Sequence, residues 1–225
     1  MNFLKISCFS IAFVLVSCIP LDVKNEQHFS DVISIVVADK EIKNSISNFS
    51  LDSKPEGVCG RATYTVNFDN QPANVPPFQA RLISWNEIKL STFRYTSDIE
   101  TSYKDPLLSI ASVLNLDHFM FITTTQRAFR DDKYIYELVC RTDSVNNTNM
   151  FLHTKLYEQG TDTISVIGRS LIAFDIRAFL SNQIAQGNDS IIQFNLQYAT
   201  RTDSIGKLVY SAYNRNPIKI TVKKQ

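Results

Sequence analysis

The chain has 225 residues, with 23 Lys and Arg against 22 Asp and Glu, which gives a formal net charge of +1. Hydrophobic residues make up 44% and charged residues 20%, a composition typical of a globular protein and not of a disordered one. The near-zero charge argues against nucleic-acid binding through bulk electrostatics. The small number of glycines, 6 in all, argues against a Gly-rich phosphate-binding enzyme.

Residues 1–17 have the features of a secretory signal. Lys5 is the one charged residue in this segment, and Ile6–Val16 is apolar or small. A permanent transmembrane helix needs about 20 apolar residues, so this shorter run predicts a signal peptide rather than a membrane span. No later stretch of the sequence reaches transmembrane length.

The four residues Leu15-Val16-Ser17-Cys18 resemble the lipobox of bacterial lipoproteins. In that family the signal is cut just before the cysteine, which carries the acyl chains. The resemblance, which covers residues 1–18 alone, implies that Cys18 is lipidated and holds the protein on a membrane of the cell envelope. Ile19, in place of Asp, resembles the outer-membrane sorting class. The alternative is a plain secretory signal cut after Ser17 or Cys18.

Cys59 and Cys140 are the cysteines expected to remain in the folded body, because Cys8 leaves with the signal and Cys18 is acylated or lost. In an oxidising compartment this even pair predicts one disulfide bond. The alternative is two buried thiols. The sequence has no Cys-x-x-Cys, so neither a thioredoxin-like role nor a zinc knuckle is supported.

We interpret residues 18–30 as a polar tether and residues 31–225 as a single folded domain. Apolar and polar residues alternate with a period of two in several segments of this domain, which is typical of half-buried antiparallel strands. These segments are 31–37, 58–68, 78–85, 134–141, 192–198 and 218–222.

Two segments predict short helices. Asp105-Pro106 is a helix start signal and precedes a run that contains Leu107, Ile110 and Leu114. A second predicted helix begins at Asp175 and ends at Gly187. Together with the strands, these helices predict an all-β fold, a mainly antiparallel β-sandwich with two short helices. An eight-stranded barrel is the alternative.

The loop Asp69–Pro77 contains Pro72, Pro76 and Pro77 between two strong strand patterns. Three prolines cannot pair in a central strand, and they lower the entropy cost of holding a loop in one shape. We therefore predict that this loop binds a partner. The alternative is a plain connector between strands.

The sequence contains no persuasive catalytic, metal-binding or cofactor-binding constellation, and we expect its three histidines to be structural, with His153 facing outward. Phe151, Tyr157 and Trp85 fall on the second face of their strands, where they form either a binding patch or a surface covered by another element.

The pattern as a whole predicts a non-enzymatic, lipid-anchored envelope protein. It would bind a protein partner or help to assemble a secretion or surface complex, and would not bind nucleic acid. The alternatives are a periplasmic or surface enzyme acting on glycans and a secreted, non-lipidated binding protein.

Overall fold

The computed structural model describes residues 25–69, 71, 75–96, 101–144, 147–185 and 191–221. The predicted signal peptide, Cys18, most of the predicted tether and Pro72 lie outside these residues. Within the described ranges the chain forms fourteen strands and one helix.

The strands follow one another closely along the chain. They are β1 (Glu26–Ala38), β2 (Glu41–Lys43), β3 (Asn48–Leu51), β4 (Cys59–Asn67), β5 (Phe78–Glu87), β6 (Thr92–Tyr95), β7 (Ser109–Leu116), β8 (Phe119–Phe129), β9 (Lys133–Ser144), β10 (Asn147–Glu158), β11 (Ser165–Asp175), β12 (Ile191–Thr202), β13 (Leu208–Ala212) and β14 (Ile218–Thr221). The helix, α1, spans Arg177–Ala185.

The first five strands close into a barrel in the order β1-β2-β3-β5-β4. Neighbouring strands are antiparallel except β3 and β5, which are parallel. Because side chains alternate along each strand, every second residue fills the interior. The buried set is Ile42, Phe49, Leu51, Ala62, Tyr64, Val66 and Ala80.

The first strand begins earlier than the sequence indicated. Residues 26–30, which we assigned to the tether, belong to β1, and Glu26 pairs with Asn67 of β4. The ring of Phe29 stacks on that of Tyr64 with a centroid separation of 5.0 Å. The folded body therefore includes the second half of the predicted tether.

The strands after the barrel form two further sheets. One has six strands, in the order β13-β12-β10-β9-β6 with β14 paired to β12, and the other has the order β11-β8-β7. Both sheets and α1 contribute to one hydrophobic core, which we call the two-sheet core. Its fully buried members include Met120, Ile122, Leu138, Cys140, Met150, Leu152, Phe174, Phe179 and Phe194. The mainly β prediction is confirmed, but a single sandwich does not account for the barrel.

A third apolar cluster joins the barrel to the three-stranded sheet. Ile35 and Cys59 come from the barrel, and Phe119 and Phe121 come from β8. All four side chains are at most 4% exposed. This junction cluster packs the two parts of the molecule against each other through buried apolar surface, which is the main favourable term in such contacts.

The helix predicted to begin at Asp175 is confirmed over its described part. The Asp175 carboxylate accepts a hydrogen bond from the backbone N–H of Arg177 at 2.9 Å, which satisfies one of the free donors at the helix start. Phe179 and Leu180 of α1 are buried in the two-sheet core. Gly187, the predicted end of the helix, lies outside the described residues.

No helix in the described ranges is both long and apolar enough to cross a bilayer.

The helix predicted after Asp105-Pro106 is wrong. Residues Ser109–Leu116 form β7, which pairs antiparallel with β8. The Asp105 carboxylate does not cap a helix but accepts the backbone N–H of Leu156 at 2.5 Å, and Asp105 forms a backbone bridge with Thr154. Pairing with β8 outweighs the local helix signal.

The predicted disulfide is also wrong, because Cys59 and Cys140 are not bonded to each other. Cys59 lies in the junction cluster and Cys140 in the two-sheet core, so the two thiols belong to different apolar clusters. The Cys59 thiol donates to the carbonyl oxygen of Ile88 at 3.2 Å. Burial, with a smaller contribution from the Glu87 carboxylate, raises the pKa of Cys59 to about 11.

Candidate functional site

An open cleft of about 580 Å³ lies where the barrel meets the other two sheets. Contacts between structural units are frequent positions for binding sites. Three parts of the chain line the cleft: the barrel, the link between β5 and β6, and the strands β9 and β11.

The barrel side of the cleft carries an ion pair between Asp31 and Arg61. The register of β1 against β4 is irregular between Phe29 and Val32, and within this irregularity Asp31 has a φ angle of 56°. Aspartate adopts this left-handed conformation more readily than most residues, and its N–H donates to Thr63 Oγ1 at 3.1 Å. The Arg61 guanidinium donates to the Asp31 carboxylate at 2.8 Å. Both side chains are exposed, so the pair orients them and adds little stability.

The link between β5 and β6 forms the second side of the cleft and ties the barrel to β11. The backbone N–H of Ile88 donates to the carbonyl of Cys59 at 3.0 Å, and that of Ser91 donates to the carbonyl of Ala173 at 2.8 Å. Lys89 lies between these two attachments. Its side chain is exposed, and among the described residues it forms no ion pair.

The third side of the cleft consists of Tyr134 and Tyr136 of β9 and of residues 170–172 of β11. The Tyr136 hydroxyl donates to the side-chain oxygen of the buried Gln126 at 3.0 Å. Burial, reinforced by the nearby Asp132 carboxylate, raises the pKa of Tyr134. The Tyr134 phenol therefore stays protonated and neutral at physiological pH.

The lining of the cleft presents charges of both signs, hydroxyl groups and aromatic rings, but neither a histidine nor a cysteine. Among the described residues no three His, Cys, Asp or Glu side chains are grouped to hold a metal ion.

A second polar constellation lies on the outer face of the six-stranded sheet, away from the two-sheet core. Glu137 of β9 is 6% exposed and accepts hydrogen bonds from the Arg94 guanidinium at 2.7 Å and from the Thr101 hydroxyl at 2.8 Å. Burial raises the pKa of the Glu137 carboxyl, but these hydrogen bonds and the positive charge of Arg94 outweigh it, so the net pKa is lowered. Glu137 is therefore a buried, charged and well-paired carboxylate.

The same constellation continues to a fully buried histidine. His153 Nε2 lies 2.6 Å from the Tyr210 hydroxyl oxygen, and His153 Nδ1 lies 3.6 Å from Glu137 Oε2, which is longer than a hydrogen bond. Burial lowers the pKa of His153 to about 4, and burial together with the Glu137 charge raises that of Tyr210 to about 12. His153 is therefore neutral at physiological pH.

The prediction that His153 faces outward is correct for its side of the sheet but wrong for its exposure. The side chain is 0% exposed. Phe151, which we placed in a surface aromatic patch, is likewise buried and packs edge-on against Tyr210. Trp85 lies on the barrel and donates its indole N–H to the carbonyl of Glu56, and Tyr157 is 70% exposed.

The proline loop lies at the other end of β5 from the cleft. Pro76 and Pro77 are exposed and precede β5, whereas Glu87 at the end of β5 lines the cleft. A strand of this length rises about 30 Å, so the predicted binding loop and the cleft are separate surfaces. The loop is closed by Gln71, whose side chain accepts from and donates to the backbone of Gln79 at 2.6 and 2.9 Å. Partner binding by Pro72, Pro76 and Pro77 stays a prediction.

Sequence reasoning did not find the cleft or the buried polar constellation. Arg94, Glu137, His153 and Tyr210 lie far apart in the chain and come together only through strand order. Each of these four residues occupies a strand position that the alternation of apolar and polar residues assigns to the solvent-facing side. A polar residue flanked by apolar residues of the same face, as Glu137 is by Ile135 and Val139, was the available signal.

No family model matches the chain, and no curated protein matches it. Solved structures do match. An uncharacterised protein from Parabacteroides merdae has a TM-score of 0.64 at 11% identity and covers 88% of this chain and 100% of its own. A NigD-like immunity protein from Bacteroides caccae has a TM-score of 0.56 at 12% identity, with 88% and 98% covered. A candidate lipoprotein from Bacteroides fragilis has a TM-score of 0.54 at 11% identity, with 88% and 99% covered. At these identities the likeness concerns the fold alone, and the chain shares that fold with structures from Bacteroides and Parabacteroides.

Proposed function

We propose that this chain is a lipid-anchored lipoprotein of the bacterial cell envelope, held at the outer membrane by Cys18, and that it acts by binding another protein rather than by catalysis. The observation that carries the anchor is the lipobox-like Leu15–Cys18 at the end of a short apolar run. One structural neighbour is a candidate lipoprotein, which supports the same class.

The binding role is supported by the nature of the accessible surface. The open cleft displays charged, hydroxyl and aromatic groups but neither a histidine nor a cysteine, whereas the neighbouring side chains of His153 and Glu137 are buried. Another neighbour is named as an immunity protein, which supports a protein as the partner. An enzyme acting on glycans would need two carboxylates of different pKa at a defined separation in an accessible site. The two carboxylates that line the cleft, Asp31 and Glu87, are both exposed, and Asp31 is already paired with Arg61.

Lipid attachment is tested by growing a bacterial host with an alkyne analogue of palmitate and measuring incorporation into the chain. We expect the wild-type chain to be labelled and Cys18→Ser to carry no label. Cys18→Ser should also be absent from the membrane fraction. Cys59→Ser is the matched control, because that buried thiol is no acylation site and its replacement should leave labelling unchanged. A wild-type chain without label would refute the anchor.

A further inference from the structure

The outer edge of β11 is unpaired along most of its length. On one side β11 pairs with β8 over all eleven residues, from Ser165 to Asp175, without a register shift. On the other side, among the described residues, only Ala173 is engaged, through its bridge to Leu90 and the hydrogen bond from Ser91. As far as the described part of the chain is concerned, residues 165–172 therefore present a free strand edge.

The orientation of the free backbone groups follows from this one contact. In an antiparallel pair, backbone groups point alternately towards the partner strand and away from it. The Ala173 carbonyl points away from β8, because it accepts from Ser91. The regular register then makes Leu171, Arg169 and Ile167 the residues whose N–H and C=O groups also point outward.

This edge lacks the features that usually prevent strand addition. Natural edge strands are commonly interrupted by proline, by a bulge or by several charges, whereas β11 is regular and contains neither proline nor lysine. Arg169 is its one charged residue between Ser165 and Ala173, and Ile167 is 69% exposed.

Gly168 adds an independent observation. It has no positive φ, and an added Cβ would find no atom within 4 Å, so neither backbone conformation nor packing calls for glycine here. A glycine inside a strand often marks a place where another backbone approaches closely. The open space at Gly168 therefore leaves room for a neighbouring backbone beside β11.

From these observations we propose that the outer edge of β11 binds an extended, acidic polypeptide segment of a partner protein by strand addition. The inference rests on the proposed binding function but not on the lipid anchor. Residues 170–172 of the edge line the cleft, so the added segment would run into it alongside the barrel.

The charges around the edge favour an acidic segment. Arg169 and Lys89 are exposed and form no ion pair among the described residues. Of the acidic residues that line the cleft, Asp31 pairs with Arg61, and the Glu87 carboxylate lies against Gly57, where an added Cβ would come within 2.2 Å of it. Two cations without an ion pair thus face one such carboxylate, which leaves a net positive charge for the partner.

The position of the β11 edge inside the cleft favours an extended segment as the partner over a second copy of this chain. Leu171 lies in the cleft beside the barrel residues Asp31 and Arg61. The folded body of a second copy would meet the barrel before its own β11 reached Leu171, whereas an extended segment has no such body. Self-association through β11 is therefore an outcome that would contradict the proposal.

The probe is a synthetic peptide as long as the Ser165–Leu171 segment, alternating valine and threonine with a glutamate near each end. It is added to the full chain purified in detergent, and binding is measured by calorimetry and by amide hydrogen exchange. We expect binding that weakens with added salt, together with slower exchange of the Ile167, Arg169 and Leu171 amides. The same peptide methylated at every backbone nitrogen should not bind, because it has no N–H donors.

Two variants of one residue separate backbone pairing from charge. Arg169→Pro removes an outward N–H without breaking a hydrogen bond to β8, and should weaken peptide binding about tenfold more than Arg169→Ala does, as expected for losing a buried hydrogen bond. Both variants should keep the wild-type circular dichroism spectrum. Should Arg169→Pro fail to fold, the methylated peptide on the wild-type chain still decides the question.

The proposal would be overturned if the parent peptide did not bind, if the methylated peptide bound equally well, or if the two Arg169 variants bound the peptide with equal affinity. It would also be overturned if the wild-type chain formed a dimer that Arg169→Pro abolished. Palmitate labelling is independent of these results. Loss of labelling with intact peptide binding refutes the anchor alone, and the reverse result refutes strand addition alone.

Discussion

The Nε2 atom of His153 lies 2.6 Å from the hydroxyl oxygen of Tyr210, although β10 and β13 are not neighbours in their sheet. β12 runs between them, and the residue of β12 that pairs with Tyr210 is Ala199. Alanine is short enough for the tyrosine ring to pass over it. The small side chain on the middle strand therefore permits a hydrogen bond across three strands.

Tyr210→Phe should lower the free energy of unfolding by about 1–3 kcal/mol, because it leaves a nitrogen of the fully buried His153 without a hydrogen-bond partner. Urea denaturation followed by fluorescence measures this difference. Tyr157→Phe removes the same hydroxyl from a side chain that is 70% exposed, and should change the stability by less than about 0.5 kcal/mol. Equal effects of the two substitutions would show that the His153–Tyr210 contact adds nothing.

The burial of His153 should make stability depend on pH. Its pKa is about 4 in the folded protein, against an ordinary value of 6.5. Between these two values the unfolded chain binds a proton that the folded chain does not, so the free energy of unfolding falls as the pH falls from 6.5 towards 4. The linkage amounts to about 3 kcal/mol over this window.

The matched variant for this prediction is His153→Gln, which keeps a hydrogen-bonding group opposite Tyr210 but does not titrate. Urea midpoints from pH 7 to pH 4 should fall more steeply for the wild type than for the variant. The contribution of Glu137, whose lowered pKa makes its stabilisation disappear under more acidic conditions, is present in both proteins. Parallel curves for the two proteins would contradict a neutral buried histidine.

Two glycines of the strands should respond oppositely to the same substitution. A Cβ at Gly60 would lie 2.6 Å from the Trp85 ring and 2.7 Å from the backbone oxygen of Asn86, which cannot move aside cheaply. Gly60→Ala should therefore destabilise the protein by about 1–3 kcal/mol. Gly168→Ala meets no atom within 4 Å and should be neutral or stabilising by up to about 1 kcal/mol. Thermal unfolding of both variants gives the comparison, and a stable Gly60→Ala would disprove the close contact.

Local pattern predicted six of the fourteen described strands, namely β1, β4, β5, β9, β12 and β14, because period-two alternation depends only on neighbouring residues. The helix predicted after Asp105-Pro106 failed for the same reason: this pair has the local chemistry of a helix start, but Asp105 is held by Leu156, a residue distant in sequence. Sheet membership is equally non-local. Nothing in the alternation of residues 26–87 distinguishes strands that close into a barrel from strands of an open sheet.

The site predictions show the same limit. We predicted a Cys59–Cys140 disulfide from the even number of cysteines and from an oxidising compartment. The number of cysteines does not show which apolar cluster each strand faces, and the two thiols lie in different clusters. The cleft was missed because it arises where the barrel, the link between β5 and β6, and the strands β9 and β11 meet, and no single segment carries its signature. The proline loop was recognisable since its prolines are contiguous in the chain.

The order in which the chain visits the two larger sheets constrains how the protein can fold. β7 and β8 belong to the three-stranded sheet, β9 and β10 to the six-stranded one, β11 to the first again and β12 to the second. β10 and β12 pair in parallel. During synthesis β10 therefore cannot pair with β12 until the whole of β11 and α1 has been made. Contacts between residues so distant in sequence form slowly. The interval before Ile191–Thr202 becomes available is therefore the stage at which the nascent protein is most exposed to misassembly, and at which a chaperone would have most effect.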